Sequence, residues 1–118
     1  MKIYKEFTFD SAHYLPNVEE GHPCKRMHGH TYKLRIWIKG KIDEEKGWLV
    51  DFGDIKKIIK PLVDSLDHRC LNDIEGLENP TSEILCIWLW RKIKPQIPGL
   101  CEVAIYETPS SGAVYEGD

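Results

Sequence analysis

The sequence has no long apolar run of the kind that crosses a membrane. Its 118 residues contain no apolar stretch of about 18 residues, the length that a membrane-spanning helix needs. The first ten residues, MKIYKEFTFD, also lack the apolar segment typical of a signal peptide. We therefore expect a cytoplasmic protein with no membrane partner.

Closely spaced cysteine pairs and basic stripes are missing as well. The formal net charge is -3, and Lys and Arg do not cluster beyond the pair Lys25-Arg26, which argues against nucleic acid as a partner. The sequence has no CxxC motif, and in a reducing compartment widely spaced cysteines are expected to be free thiols. The four cysteines are Cys24, Cys70, Cys86 and Cys101.

The apolar pattern that is present predicts one α+β domain over residues 1–118. Alternating apolar residues predict strands over residues 3–9 and 30–39, and in the segments GLCEVAIYE and AVYE near the end of the chain. The turn SSG is expected between the last two. Two helical segments separate the two strand pairs, so the order is strand, strand, helix, helix, strand, strand. We expect an antiparallel four-stranded sheet with two helices on one face. Such a sheet has two exposed edge strands, which can pair with the sheets of other subunits.

Capping residues, prolines and the spacing of apolar residues predict where the helices lie. Asp51 is a plausible N-cap for the first helix, and Pro61 is expected to kink or break it. Asn79 and Pro80 suit the cap and first position of the second helix. That helix is apolar on two sides, which favours a second partner besides the sheet. Cys86 and Cys101 are expected to lie in the core, with Cys101 on the same strand face as Val103, Ile105 and Glu107.

Three histidines are predicted to converge at the start of the second strand. His28 and His30 are two residues apart, so their side chains point the same way, on the parity of the apolar face. If the first two strands pair antiparallel, His13 lands beside them. Three imidazoles with one open position describe a catalytic zinc site. An HxH pattern alone is weak evidence, however, and most such pairs bind no metal.

Cys24 allows two interpretations. A thiol near a dication and near Lys25-Arg26 favours the reactive thiolate form. The same sulfur could instead be a fourth zinc ligand, which would close the site and make it structural. His22, beside Pro23 in the same loop, is expected to be exposed or near a substrate.

Two further polar positions stand out. Asp67 and His68 can form a carboxylate–imidazole pair, although such pairs are also common on surface loops. Glu107 ends an apolar strand face, where a carboxylate is costly unless it is paired. It could hold a ligand that offers two adjacent N–H donors, or it could be a structural residue bonded to the backbone or to an arginine.

Together these segments resemble the 6-pyruvoyl-tetrahydropterin synthase family. The resemblance covers nearly the whole chain, and as a set the motifs are highly specific. The three residues between Cys24 and His28 favour the bacterial branch, because the animal-type enzymes have a longer stretch there. The motifs, in order, are SAH (11–13), CxxxHGH (24–30), DFGDIKK (51–57), LDHxxLN (66–72), NPTSE (79–83) and YET (106–108).

The resemblance implies a T-fold, or tunnelling fold, in which subunits join their sheets into an oligomeric barrel, typically a hexamer, with active sites at the interfaces. It implies that the three histidines bind one Zn²⁺ per subunit and that Cys24 abstracts protons. Asp67 and His68 would form a proton-transferring dyad supplied by a neighbouring subunit. Glu107 would anchor a pterin and take part in the proton relay, and Thr81 and Ser82 of NPTSE would contact substrate.

For the bacterial branch, the resemblance implies a zinc-dependent lyase of queuosine (7-deazaguanine) biosynthesis. Its substrate would be 7,8-dihydroneopterin triphosphate, and its products 6-carboxy-tetrahydropterin, acetaldehyde and triphosphate. Two alternatives stay open at this stage. One is 6-pyruvoyl-tetrahydropterin synthase activity on the same substrate, and the other is a non-catalytic module that binds a pterin or a metal.

Overall fold

A computed structural model of the chain describes residues 1–117. The chain folds into one sheet of five strands and two α-helices, and among the described residues neither helix is long and apolar enough to cross a membrane. The elements are β1 (Lys2–His13), β2 (His28–Lys39), α1 (Phe52–Leu66), β3 (Arg69–Cys70), α2 (Ser82–Ile93), β4 (Leu100–Thr108) and β5 (Ser111–Tyr115).

The α+β class is confirmed, and the sheet has one more strand than expected. The order across the sheet is β3-β1-β2-β4-β5, with antiparallel pairing between the four long strands. The extra strand β3 runs parallel to β1 and pairs Arg69 with Ser11 and Cys70 with Ala12. Two residues are too few to show the period-two alternation that reveals a strand in a sequence, so the pattern could not predict β3.

The helices cover one face of the sheet and bury its apolar side chains. Helix α1 packs on β1, and α2 packs on β4 and β5. Along β2 the predicted alternation holds, because Tyr32, Leu34 and Ile36 are fully buried while Lys33 between them is exposed and Arg35 is half-buried. The opposite face of the sheet is left without a helical layer among residues 1–117.

Helix α1 begins as predicted but is not interrupted at its proline. The Asp51 carboxylate accepts a hydrogen bond from the Gly53 N–H (2.9 Å), which confirms the N-cap. The helix runs through Pro61 to Leu66, so of the kink or break expected there the break was wrong. Pro61 and Lys57, whose carbonyl loses its helical donor, both lie on the exposed side, where water can satisfy that carbonyl.

Helix α2 begins later than the sequence suggested. Thr81 is the N-cap, and its Oγ1 accepts a hydrogen bond from the Ile84 N–H (3.1 Å). Pro80 is buried just outside the helix, so its assignment to the first helical position was wrong, as was Asn79 as the cap. A threonine hydroxyl that accepts an orphan N–H of the first turn defines the start of a helix more strongly than the proline before it.

Replacement of Thr81 tests its role as a cap. Thr81→Ala should lower the free energy of unfolding by about 1 kcal/mol, because the Ile84 N–H loses its acceptor. Thr81→Ser keeps the hydroxyl and should unfold close to the wild type. Urea denaturation of the three proteins at one protein concentration measures the difference, and an unchanged midpoint for Thr81→Ala would contradict the assignment.

Two details of the strands β4 and β5 also differ from expectation. Trp37 pairs with Glu102 and Ile38 pairs with Leu100, so Cys101 is the extra residue of a β-bulge. The bulge places Leu100 in the core in place of Cys101, which stays only half-buried. The last strand begins at Ser111, so the turn lies at residues 109–110 and not at the predicted SSG.

Candidate metal centre and catalytic cleft

The register of the first hairpin brings the three predicted histidines together. His13 pairs with His28 across the β1–β2 ladder, and His30 lies two residues further along the same face of β2. Their ring centroids are 4.5, 5.0 and 5.1 Å apart in pairs. One nitrogen of each ring lies within 4.8 Å of the other two, so three imidazoles face one point.

Backbone carbonyls fix the orientation of two of these rings. His13 Nδ1 lies 2.8 Å from the carbonyl oxygen of Pro80, and His28 Nδ1 lies 2.7 Å from that of Arg26. A carbonyl can only accept, so each Nδ1 carries the proton and each Nε2 keeps a free lone pair. This is the arrangement that outer hydrogen bonds give to metal-binding histidines.

Two ring nitrogens of the cluster are left without a hydrogen bond within the described chain. Nε2 of His13 and Nε2 of His30 are buried, and neither has a hydrogen-bond partner among residues 1–117. Burial also lowers the pKa of His13, so its imidazole stays neutral, the form that binds metals. Buried lone pairs without partners are costly, and a bound cation would satisfy them. The donor set fits Zn²⁺, which prefers neutral imidazole.

Tyr32 also belongs to this cluster, although nothing in the sequence singled it out as a site residue. Its hydroxyl oxygen lies 3.1 Å from His13 Nδ1, and its ring lies edge-on to His30 with the centroids 5.4 Å apart. Burial raises the pKa of Tyr32 well above its ordinary range, so the phenol stays protonated. Its place in the cluster could have been predicted, because Tyr32 has the same strand parity as His28 and His30.

Cys24 lies beside the histidines but is not one of the converging groups. It lines a cleft of about 310 Å³ together with the three histidines and Glu107, which is at the lower end of the size range of ligand pockets. Among the described residues, two sets of three groups have ligand atoms within 4.8 Å of one another: the three histidines, and Asp10 with Asp67 and His68. Cys24 belongs to neither set. This arrangement favours a metal position open to a ligand from the cleft.

Glu107 enters the cleft from β4, as its place at the end of an apolar face suggested. The Ser82 hydroxyl donates a hydrogen bond to Glu107 Oε1 (2.8 Å), and Oε2 lies 3.7 Å from His30 Nε2. Ser82 therefore reaches this site through Glu107, whereas the Thr81 hydroxyl caps α2. A substrate-binding role for Thr81 and Ser82 stays a prediction.

Asp67 and His68 form the predicted pair, with 3.0 Å between Asp67 Oδ2 and His68 Nδ1. The Asp10 backbone N–H donates to Asp67 Oδ1 (2.8 Å), and this bond, followed by the His68 contact, lowers the pKa of Asp67. His68 has a positive φ of 57°, uncommon for a residue other than glycine, and its N–H donates to the Asp10 carbonyl (2.6 Å). Two backbone contacts with Asp10 thus fix the dyad at the edge of β1.

Within one chain, the dyad and the Cys24 cleft lie in different places. His68 lines a second cleft, with Asp10 and Thr31 of the sheet face that carries no helices, whereas Cys24 lines the cleft with the histidines on the helical face. His30 borders both clefts. The side chain of His68 is 79% exposed, so it is free to meet another molecule.

The loop before β2 contains a contact that sequence reasoning missed. His22, expected to be exposed or near a substrate, is half-buried, and its Nδ1 accepts a hydrogen bond from the Cys24 N–H (3.0 Å). The proline at position 23, which begins a short 3-10 helix, was the available signal for a capping residue before it. The carbonyl partners of the histidines gave no signal, because every residue has a carbonyl.

The fold and this cleft define a small α+β protein with three converging imidazoles beside a cysteine and a glutamate. The sequence profile described as 6-pyruvoyl tetrahydropterin synthase matches residues 2–118 of the chain. The chain therefore belongs to the 6-pyruvoyl tetrahydropterin synthase family.

Individual relatives support this membership. A protein of Synechocystis named 6-carboxy-5,6,7,8-tetrahydropterin synthase is 42% identical over 96% of this chain and 91% of its own length. A protein of Haemophilus influenzae with the same name is 44% identical over 98% of both chains. The structure of 6-pyruvoyl tetrahydropterin synthase from Caenorhabditis elegans matches with a TM-score of 0.92 at 27% identity, covering all of this chain and 96% of the other.

Proposed function

We propose that the protein is a zinc-dependent lyase that converts 7,8-dihydroneopterin triphosphate to 6-carboxy-tetrahydropterin, acetaldehyde and triphosphate, in the cytoplasm, as a step of queuosine (7-deazaguanine) biosynthesis. One observation carries the proposal. Buried imidazole nitrogens without partners face the cleft that also holds Cys24 and Glu107. The names of the relatives at 42% and 44% identity support the choice of product.

His13, His28 and His30 would hold the metal. When bound, Zn²⁺ would supply Lewis-acid polarisation of the hydroxyl groups on the substrate side chain. The chain's own contribution is to hold two of the three rings, those of His13 and His28, by carbonyl contacts and to keep His13 neutral by burial. A metal that leaves one position open to the cleft fits a catalytic site better than a structural one.

Cys24 is proposed as the group that removes a proton from the substrate side chain. Cys24 lines the same cleft as the imidazoles, so its thiol would lie near the carbons next to the polarised hydroxyls of a bound substrate. A thiolate is a suitable base because a thiol titrates not far from neutral pH. Glu107 is proposed to accept hydrogen bonds from two N–H groups of the pterin ring and to join the proton relay, while the Ser82 hydroxyl fixes its orientation.

The dyad Asp67–His68 is proposed to complete the site of a neighbouring subunit. Its cleft lies on the sheet face that carries no helices, and the side chain of His68 is 79% exposed. Both features support a role between subunits. The sheet supports association as well. Among the described residues, β3 covers only two positions of β1, and β5 is a free edge. We propose a homo-oligomer of single T-fold domains, hexameric as in other members of the family.

Product analysis tests the proposed reaction directly. Purified protein loaded with Zn²⁺ is incubated with 7,8-dihydroneopterin triphosphate, and the products are identified by mass spectrometry with a coupled assay for acetaldehyde. We expect 6-carboxy-tetrahydropterin and one acetaldehyde for each triphosphate released. A pterin that keeps the full side chain, formed without acetaldehyde, would instead show pyruvoyl synthase activity. Bound pterin without turnover would show a non-catalytic module.

A further inference from the structure

We infer that His22 is a positioning residue that fixes the backbone of Cys24 and so aims its thiol into the cleft. The inference rests on the proposed role of Cys24 as a base. The His22 imidazole accepts a hydrogen bond at Nδ1 from the Cys24 N–H, at 3.0 Å. This contact lies outside the set of three converging histidines and is not used by the chemistry proposed above.

The local sequence explains why Cys24 needs such an acceptor. His22 has extended dihedrals (φ -67°, ψ 132°) and precedes a short 3-10 helix, Pro23–Lys25. Pro23 has no N–H, so the amide of Cys24 is the first donor of that helix and has no partner within it. The side chain of the residue before the helix is the group that can reach this donor.

The carbonyl group of Cys24 is also held by a hydrogen bond. Its carbonyl accepts a hydrogen bond from the Leu15 N–H (2.8 Å), which ties the loop to the segment that follows β1 and His13. The Lys25 N–H donates to the His22 carbonyl (3.1 Å) and closes the turn. With its N–H and C=O both bonded, the Cys24 backbone has little freedom, and this fixes the direction of its Cα–Cβ bond.

Lys25 does not compete for this role. Its ammonium lies 2.8 Å from the Glu20 carboxylate and 3.1 Å from the Val18 carbonyl, so it holds the start of the loop. The loop is thus fixed by Lys25 on one side and by the Cys24 contacts on the other. His22 is the side chain among these that acts directly on the proposed base.

Two substitutions separate positioning from proton transfer. Asn is a strong capping residue, and its side-chain oxygen can accept the Cys24 N–H, but it cannot carry protons near neutral pH. Leu has a similar size to His and offers no acceptor. His22→Leu should lower kcat about tenfold, the fold-change expected when a contact as strong as a helix cap is lost in full from the transition state, while KM stays within about twofold and zinc content is unchanged. His22→Asn should behave like the wild type in all three measurements.

Amide hydrogen exchange at Cys24 gives a readout that does not depend on turnover. The exchange of this amide, resolved by mass spectrometry of the fragmented peptide, should be about tenfold faster in His22→Leu and unchanged in His22→Asn. His22→Ala, which removes the acceptor and leaves more space, should match His22→Leu and replaces it if the larger side chain disturbs folding.

Each other result overturns the inference. If His22→Asn loses as much kcat as His22→Leu, the imidazole itself moves protons. If His22→Leu keeps both full kcat and slow exchange, the contact does not hold Cys24, and if it loses zinc, His22 supports the metal site instead. Absence of turnover in the wild type would refute the proposed function, and the exchange comparison would still decide whether His22 holds Cys24.

Discussion

His28→Ala should lose its bound zinc and its activity together. The substitution leaves two of the three converging imidazoles, and it removes the ring that the Arg26 carbonyl orients. Loss of an outer hydrogen-bond partner alone costs about 10- to 100-fold in metal affinity, so the loss of a ligand should cost more. Metal analysis after dialysis should fall from about one zinc per chain to near zero, with turnover near the detection limit.

His68→Ala is the matched control for this experiment. It also replaces a histidine with alanine, but His68 is not one of the three converging rings, and its cleft lies on the other face of the sheet. It should keep its zinc while turnover falls, because the dyad is proposed to transfer protons. Circular dichroism should show both variants folded, and full zinc occupancy in His28→Ala would refute the metal site.

Cys24→Ser should keep its zinc and lose most of its turnover. Serine has nearly the shape of cysteine, but its hydroxyl is far too weak an acid to be ionised near neutral pH. A positioned acid–base group contributes about 10²- to 10⁴-fold, so kcat should fall by a factor in that range. Since Cys24 is not one of the groups that converge on the metal position, zinc binding should be unchanged.

Cys101→Ser provides the comparison for Cys24. Cys101 is also a half-buried free cysteine, but it lies at the β-bulge, with its Sγ 3.5 Å from the Trp37 carbonyl, and does not line the cleft. Turnover and zinc content of this variant should match the wild type. If Cys24→Ser loses zinc instead, Cys24 is a fourth ligand, the metal site is closed, and the interpretation as a binding module is favoured.

Side-chain alternation made the centre of the site predictable. A period of two residues places His28 and His30 on one face of a strand, and antiparallel pairing brings His13 opposite His28 without any knowledge of the helices. The apolar neighbours Leu34 and Ile36 identified that face as the buried one. The same rule would have placed Tyr32 in the cluster.

Features that depend on backbone geometry could not be predicted in this way. The bulge that moves Cys101 off the core face arises from a register shift between Trp37 and Ile38, which apolar alternation does not encode. The acceptors of the histidine N–H groups are carbonyls, such as that of Pro80, and carbonyls carry no residue identity. The positive φ of His68 likewise results from tertiary contacts with β1.

The separation of His68 from Cys24 has a consequence for how the protein behaves on dilution. If each active site takes Cys24 from one chain and His68 from another, an isolated chain contains parts of two active sites and no complete one. Specific activity should then fall steeply below the concentration at which subunits dissociate, and it should recover when inactive Cys24→Ser and His68→Ala proteins are mixed. The specific activity of the enzyme would therefore depend on its own concentration.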